Sequence, residues 1–198
     1  MLPFSDASER NKDPILEVLR DCFARCAEVL EIGSGTGQHA VHFARHLQHL
    51  TWHPTEQLSY LRDLAARVEL EGSENLRRPT VLDVRQSVWP LRSVDAVFTA
   101  NTLHIMSWSE VTALYDGVGE VLRPGGVMCV YGPFRYEGRY TSDSNREFDR
   151  ALQERDPNSG LRDVQAVCAL AEQYGLRLVA DHDLPAFNRL LVFAKEPV

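Results

Sequence analysis

The chain has 198 residues, 44% of them hydrophobic and 25% charged, the balance of a globular domain large enough to bury its own core. A formal net charge of −7 argues against a nucleic-acid backbone as the main partner and for a small-molecule substrate. No apolar run reaches the roughly 20 residues that cross a bilayer, so no membrane partner is expected. The opening MLPFSDASERNKD has no basic stretch followed by an apolar one, and does not read as a secretory leader. The four cysteines, Cys22, Cys26, Cys129 and Cys168, form no CxxC pair and read as small buried hydrophobes in a reducing cytoplasm.

In chain order, Asp13 and Pro14 predict the start of a first helix, a capping acid followed by the residue suited to the first helical position. Ile15, Leu19, Cys22 and Cys26 then recur at helical spacing. Ser8 to Asn11 carry no apolar pattern and are expected to stay mobile until a ligand orders them. EVLEI is a strand, QHAVHFARHL a helix, LTWH a short strand and LSYLRDLAARVEL a helix closed by Gly72. PTVLDV reads as a third strand and VDAVFTAN as a fourth, apolar enough to be covered on both faces. WSEVTALYDGVGEVL is a helix stopped by Pro124, Gly125 and Gly126, and VMCVYGPF is the fifth strand. Arg135 to Arg162 is a polar insertion with a helix from Asn145 to Glu154. RDVQAVCALAEQY is a helix capped by Gly175, and LRLVADHDL and NRLLVFAKE form a closing strand pair around Pro185. Strand–helix alternation predicts an α/β, Rossmann-like fold of one domain. Its sheet is mostly parallel, with helices on both faces and an antiparallel strand near the C-terminus.

GSGTG follows the first strand, with Gly33, Gly35 and Gly37 in alternation. A dinucleotide loop has a third glycine where Gln38 stands, and a phosphate-binding loop needs GK[ST], which is absent. Glu31, just before the loop, would repel a pyrophosphate and attract a cation. S-adenosylmethionine (SAM) carries both an ammonium and a sulfonium. Glu56 follows the last loop glycine at the distance where an acid accepts ribose hydroxyls. Asp83 is placed to take an adenine amino group, with the next backbone amide, that of Val84, reaching a ring nitrogen.

These elements arrive in the order of a class I SAM-dependent methyltransferase, which the chain resembles from about residue 28 to its end. SERNKDPIL, GSGTGQHA, WHPTE, YGPF, SDSN..FD, GLRD and LPAFN..LVFAK together resemble the family catalogued as DUF938, methyltransferase-like 26. The family pattern has Asp where Glu56 stands and Asn where Phe187 stands. The resemblance implies a seven-stranded sheet and SAM as cofactor, with S-adenosylhomocysteine (SAH) as product. The expected cofactor contacts are Arg10, Asn11, Glu31, Gly33, Ser34, Gly35, Gly37, His39, Glu56, Gln57, Asp83, Val84, Asn101, Thr102 and Leu103. Residues 1–27 should cap the cofactor and residues 133–162 should form a lid after strand five.

His104, in NTLHIMSW, either acts as a general base or packs against Trp108. Tyr131 and Tyr140 join it as catalytic candidates. His104, Tyr131, Phe134, Arg135, Tyr136, Tyr140, Asn145 and Asn188 are the expected substrate contacts, the arginine suiting an anionic group. His39, His42, His46 and His49 form a helical stripe away from Phe43 and Leu47 and are expected to be solvated, with no metal site. The function that follows is methyl transfer from SAM to an O, N or S atom of a small polar or anionic molecule, by a monomer or homodimer. A non-catalytic SAM-binding regulator or scaffold, and an NAD-dependent oxidoreductase, are the alternatives.

Overall fold

The computed structural model describes residues 2–197. Its main sheet has seven strands: β1 (Glu28–Ile32), β2 (Thr51–Glu56), β3 (Thr80–Val81), β4 (Val94–Ala100), β5 (Leu122–Gly132), β9 (Leu176–Leu184) and β10 (Asn188–Lys195). They lie in the order β3-β2-β1-β4-β5-β10-β9, parallel except for β10, which runs antiparallel to both neighbours. β6 (Phe134–Tyr136), β7 (Arg139–Tyr140) and β8 (Arg162–Asp163) form a small second sheet within the polar insertion.

Strand alternation fills two cores, one on each face. Leu30, Ile32, Val97, Met128, Val130, Leu191 and Phe193 face α4 (Trp108–Val121) and α6 (Val164–Gln173). Val29, Ala96, Phe98, Cys129, Leu190 and Val192 face α1 (Asp6–Cys22) and α2 (Gln38–His46). α3 (Leu61–Glu71) lies beside α2 and β2, and α5 (Asp143–Arg155) belongs to the insertion. Cys129 is buried and Cys22, Cys26 and Cys168 are half-buried.

Several boundaries differ from the sequence reading, each for a local reason. α1 begins at Asp6, not at Asp13, because the Ser5 side chain accepts from the Ser8 amide and caps the helix about two turns earlier. Ser8 to Asn11 are therefore helical, and Pro14 sits inside the helix, where it cannot donate to the carbonyl of Arg10. β3 keeps only two residues, since the chain turns through a Gln86 N to Asp83 O hydrogen bond. The glycines after α4 do not form a loop: Leu122 is already extended and β5 starts there.

Candidate active site

The parallel strands β1, β2 and β4 end at one edge of the sheet, where ligands of α/β proteins bind. A cavity of about 640 Å³ opens at that edge. Gly33, Ser34 and Gly35 form its base after β1. Gly33 and Gly35 hold φ of 71° and 54°, left-handed values that glycine adopts without a Cβ penalty. A Cβ on Gly35 would meet nothing within 4 Å, so its bare backbone is a cradle open to the cavity; one on Gly33 would stand 2.6 Å from the Thr102 methyl. Glu56 closes the far side, its Oε2 accepting from the Gly35 amide at 2.8 Å and its Oε1 from the Gln57 amide at 2.7 Å.

Glu31 lies beneath this base rather than on it. It is 2% exposed, and its Oε2 accepts from Trp52 Nε1 at 2.8 Å. Burial pushes its carboxyl up to about 7, against the Trp52 hydrogen bond and the neighbouring Ser34 hydroxyl, which lower it; the Glu56 charge raises it further. Trp52 belongs to an aromatic cluster with Phe23, Phe43 and Phe98, which ties the glycine loop to the core.

α1 is the roof, contributing Ser5, Ala7, Ser8 and Asn11. Gln38 fastens it: Oε1 accepts from the Ser5 amide at 2.7 Å, and Nε2 donates to the Ser5 carbonyl and Glu9 at 3.3 and 3.2 Å. Arg67 adds hydrogen bonds of 2.6 Å to the carbonyls of Pro3 and Thr36. The residue standing where a dinucleotide loop has its third glycine thus anchors the roof. His39 is buried under Asn11, its Nε2 2.6 Å from Asn11 Oδ1, and burial pulls its pKa down to about 4. The expected solvated stripe is corrected accordingly: His39 is buried against Phe43, His42 is half-buried, and only His46 and His49 are exposed. Among the described residues no three His, Cys, Asp or Glu side chains are placed to hold a metal.

The opposite end is lined by Asn101, Thr102, His104, Ile105, Met106, Phe148 and Asn188. The His104 ring is 5% exposed and meets Phe148 edge-on at 5.4 Å. Trp108 instead lies under the Arg162 guanidinium. Burial, helped by the Arg162 charge, pulls the His104 pKa down to about 4, so the imidazole is neutral near neutral pH.

Of the expected site residues, Asn11, Gly33, Ser34, Gly35, His39, Glu56, Gln57, Val84, Asn101, Thr102, His104 and Asn188 come together on this cavity. The others do not line it. Arg10 is exposed, Gly37 packs against Leu64, and Leu103 and Phe134 are in the core. Asp83 is turned to Arg85, which donates to its two oxygens at 2.9 and 2.6 Å and holds its carboxyl down to about 2. Tyr131 is buried behind Asn11 and Asn188. Tyr136 donates to Asp181 and Tyr140 to Asp149, both at 2.6 Å. Asn145 donates to Thr141 and the Phe187 carbonyl, and Arg135 lies over the Tyr140 ring. Sequence reasoning missed Ser5, Ala7, Tyr60, Ile105, Met106 and Phe148. Phe148 had a signal, a large apolar residue at helical spacing from Leu152 in an otherwise polar segment; it is 40% exposed.

This sheet order with one reversed strand is the Rossmann-like fold of class I methyltransferases. Solved structures share it. An O-methyltransferase family protein from Burkholderia thailandensis matches with TM-score 0.78 and 16% identity over 97% of this chain and 58% of its own. The S-adenosylmethionine-dependent methyltransferase SibL, in its apo form, matches at 0.81 and 21% over 97% and 56%. Human N-acetylserotonin methyltransferase, in complex with SAM, matches at 0.80 and 15% over 98% and 53%. The chain spans about half the length of these structures. A family model matches residues 2–195, and the chain belongs to that family, described as a protein of unknown function (DUF938).

Proposed function

We propose that this protein is a SAM-dependent methyltransferase acting on an O, N or S atom of a small molecule. One observation carries the reading: the cavity pairs an open glycine cradle with Glu56 and, among the described residues, is lined by no lysine or arginine. A pyrophosphate calls for donors and positive charge, and here Gln38 binds the start of α1 over the start of α2. A nucleoside with a cationic side arm suits an acidic, glycine-floored cavity. Its volume of about 640 Å³ lies within the range of ligand pockets.

In this reading Gly33, Ser34 and Gly35 hold the amino-acid arm and Glu56 the ribose hydroxyls. Leu82 and Val84 flank the base, with Ser8 and Asn11 above. SAM supplies an electrophilic methyl group. The protein aligns the acceptor with it and excludes water. His104, neutral near neutral pH, takes the acceptor's proton where the acceptor must lose one. Ile105, Met106 and Phe148 give the acceptor end an apolar wall, while Arg135 is not on the cavity, so an uncharged acceptor with an apolar face fits better than an anionic one.

The test is transfer of labelled methyl from SAM into a fractionated small-molecule extract. A labelled product formed by the wild type, and at least tenfold less by His104→Ala, supports the reading. SAH binding without transfer to any fraction would favour the non-catalytic regulator instead.

A further inference from the structure

The four carbonyls of residues 103–106, the loop that carries His104, are each gripped by one segment of the insertion. Arg162 Nε donates to the Leu103 carbonyl at 3.0 Å, and its Nη2 donates to the Met106 carbonyl. The Gly160 amide donates to the His104 carbonyl at 2.9 Å and Ser159 Oγ to the Ile105 carbonyl at 2.7 Å. The loop's own bonds are fewer: the amides of Ile105 and Met106 both turn back to the Thr102 carbonyl.

The gripping segment is itself fixed. Asp149 Oδ1 accepts from the Leu161 amide at 2.7 Å, while Oδ2 accepts from Tyr140 and Gln153. Gly160 holds φ of 145°, and a Cβ there would sit 2.8 Å from Asp149 Oδ1, so glycine lets the two segments meet. Arg162 is also registered against Phe134 by the β6–β8 pairing and packs over Trp108. Phe148, next to Asp149 on α5, is the residue that meets the His104 ring. Residues 143–162 therefore reach His104 from two sides, at its backbone and at its ring.

We propose that Arg162, with Ser159 and the Gly160 amide, is a positioning device that holds the His104 loop so that the imidazole faces the acceptor end of the cavity. This rests on the reading of His104 given under Proposed function. It makes the insertion a fixed brace for the reacting end of the cavity, rather than a lid over the cofactor. A planar, five-donor guanidinium is the side chain suited to two carbonyls three residues apart. Lysine at the same place keeps the charge but not the fork.

The test uses the wild type, Arg162→Lys and Ser159→Ala, all without ligand, followed by NMR of the His104 imidazole and by amide hydrogen exchange. In both variants the Ile105 and Met106 amides should exchange at least tenfold faster, with strands β1 and β4 unchanged. The His104 titration midpoint should rise from about 4 by about one pH unit as water reaches the loosened ring. Arg162→Lys preserves the positive charge, so a rise there reports lost hydrogen bonding rather than lost repulsion. SAH affinity, measured separately by calorimetry, should stay within twofold. Unchanged exchange and titration in both variants overturn the brace, whether or not SAH binds. Absence of SAH binding to the wild type overturns the cofactor reading and leaves the brace measurement standing.

Discussion

Replacing Gly35 with alanine separates the cost to the fold from the cost to the ligand. The added Cβ meets no protein atom within 4 Å, so the fold bears only the strain of a side chain at φ 54°. That strain is about 1–2 kcal/mol. A domain of this size loses about 2–4 °C of Tm per kcal/mol, so Tm should fall by about 2–8 °C with the cooperative transition intact. The same methyl would project into the cradle, the proposed seat of the cofactor's amino-acid arm. Overpacking a fitted site by one carbon costs about 1–3 kcal/mol, which is about 5- to 150-fold in affinity. Thermal denaturation followed by circular dichroism reads the first number, and calorimetry with SAH reads the second. A folded Gly35→Ala protein that binds SAH as tightly as the wild type would show that the cofactor does not lie against this glycine.

Three further outcomes are expected. Glu56→Gln should weaken SAH binding by about 1–3 kcal/mol through the loss of charge-assisted hydrogen bonds, read by calorimetry; equal affinity would mean the ribose lies elsewhere. Trp52→Phe leaves the buried Glu31 carboxyl without its indole donor and should lower stability in urea by about 1–3 kcal/mol at pH 8, and less at pH 5, where the carboxyl is protonated. Glu31 titrates near 7 in the folded protein against 4.5 normally, so the native state binds the extra proton between these values. The wild type should therefore lose about 3 kcal/mol relative to Glu31→Gln as pH rises from 4.5 to 7, then run parallel to it; urea melts giving a constant difference would refute the buried carboxyl's shift.

The parts legible in the sequence were those set by local pattern. Gly33 and Gly35 announced a backbone turn after an apolar strand, and Glu56 followed from where β2 ends. The closing pair β9 and β10 was readable from alternation and the turn between them. What failed depended on partners distant in sequence or on competing local bonds. Asp83 reads from the sequence as part of the third strand's end; it lies just past β3, and an arginine two residues on claims its carboxylate. Tyr140 and Arg135 lie in the expected insertion, yet the Tyr140 hydroxyl bonds Asp149 and Arg135 lies on the Tyr140 ring, away from the cavity. The start of α1 was missed because Pro14 looked like a first position, whereas Ser5 and Gln38 settle the cap by contacts 33 residues apart. Ile105 and Phe148 reach the cavity through the packing of the insertion, which no periodicity encodes.

The proposed chemistry depends on the glycine cradle and Glu56 holding SAM. Calorimetric titration of the purified protein with SAH, and in parallel with NAD, decides this. One SAH site per chain is expected, lost in Gly35→Val while the circular dichroism spectrum is retained, with no heat from NAD. Saturable NAD binding with no response to SAH would contradict it.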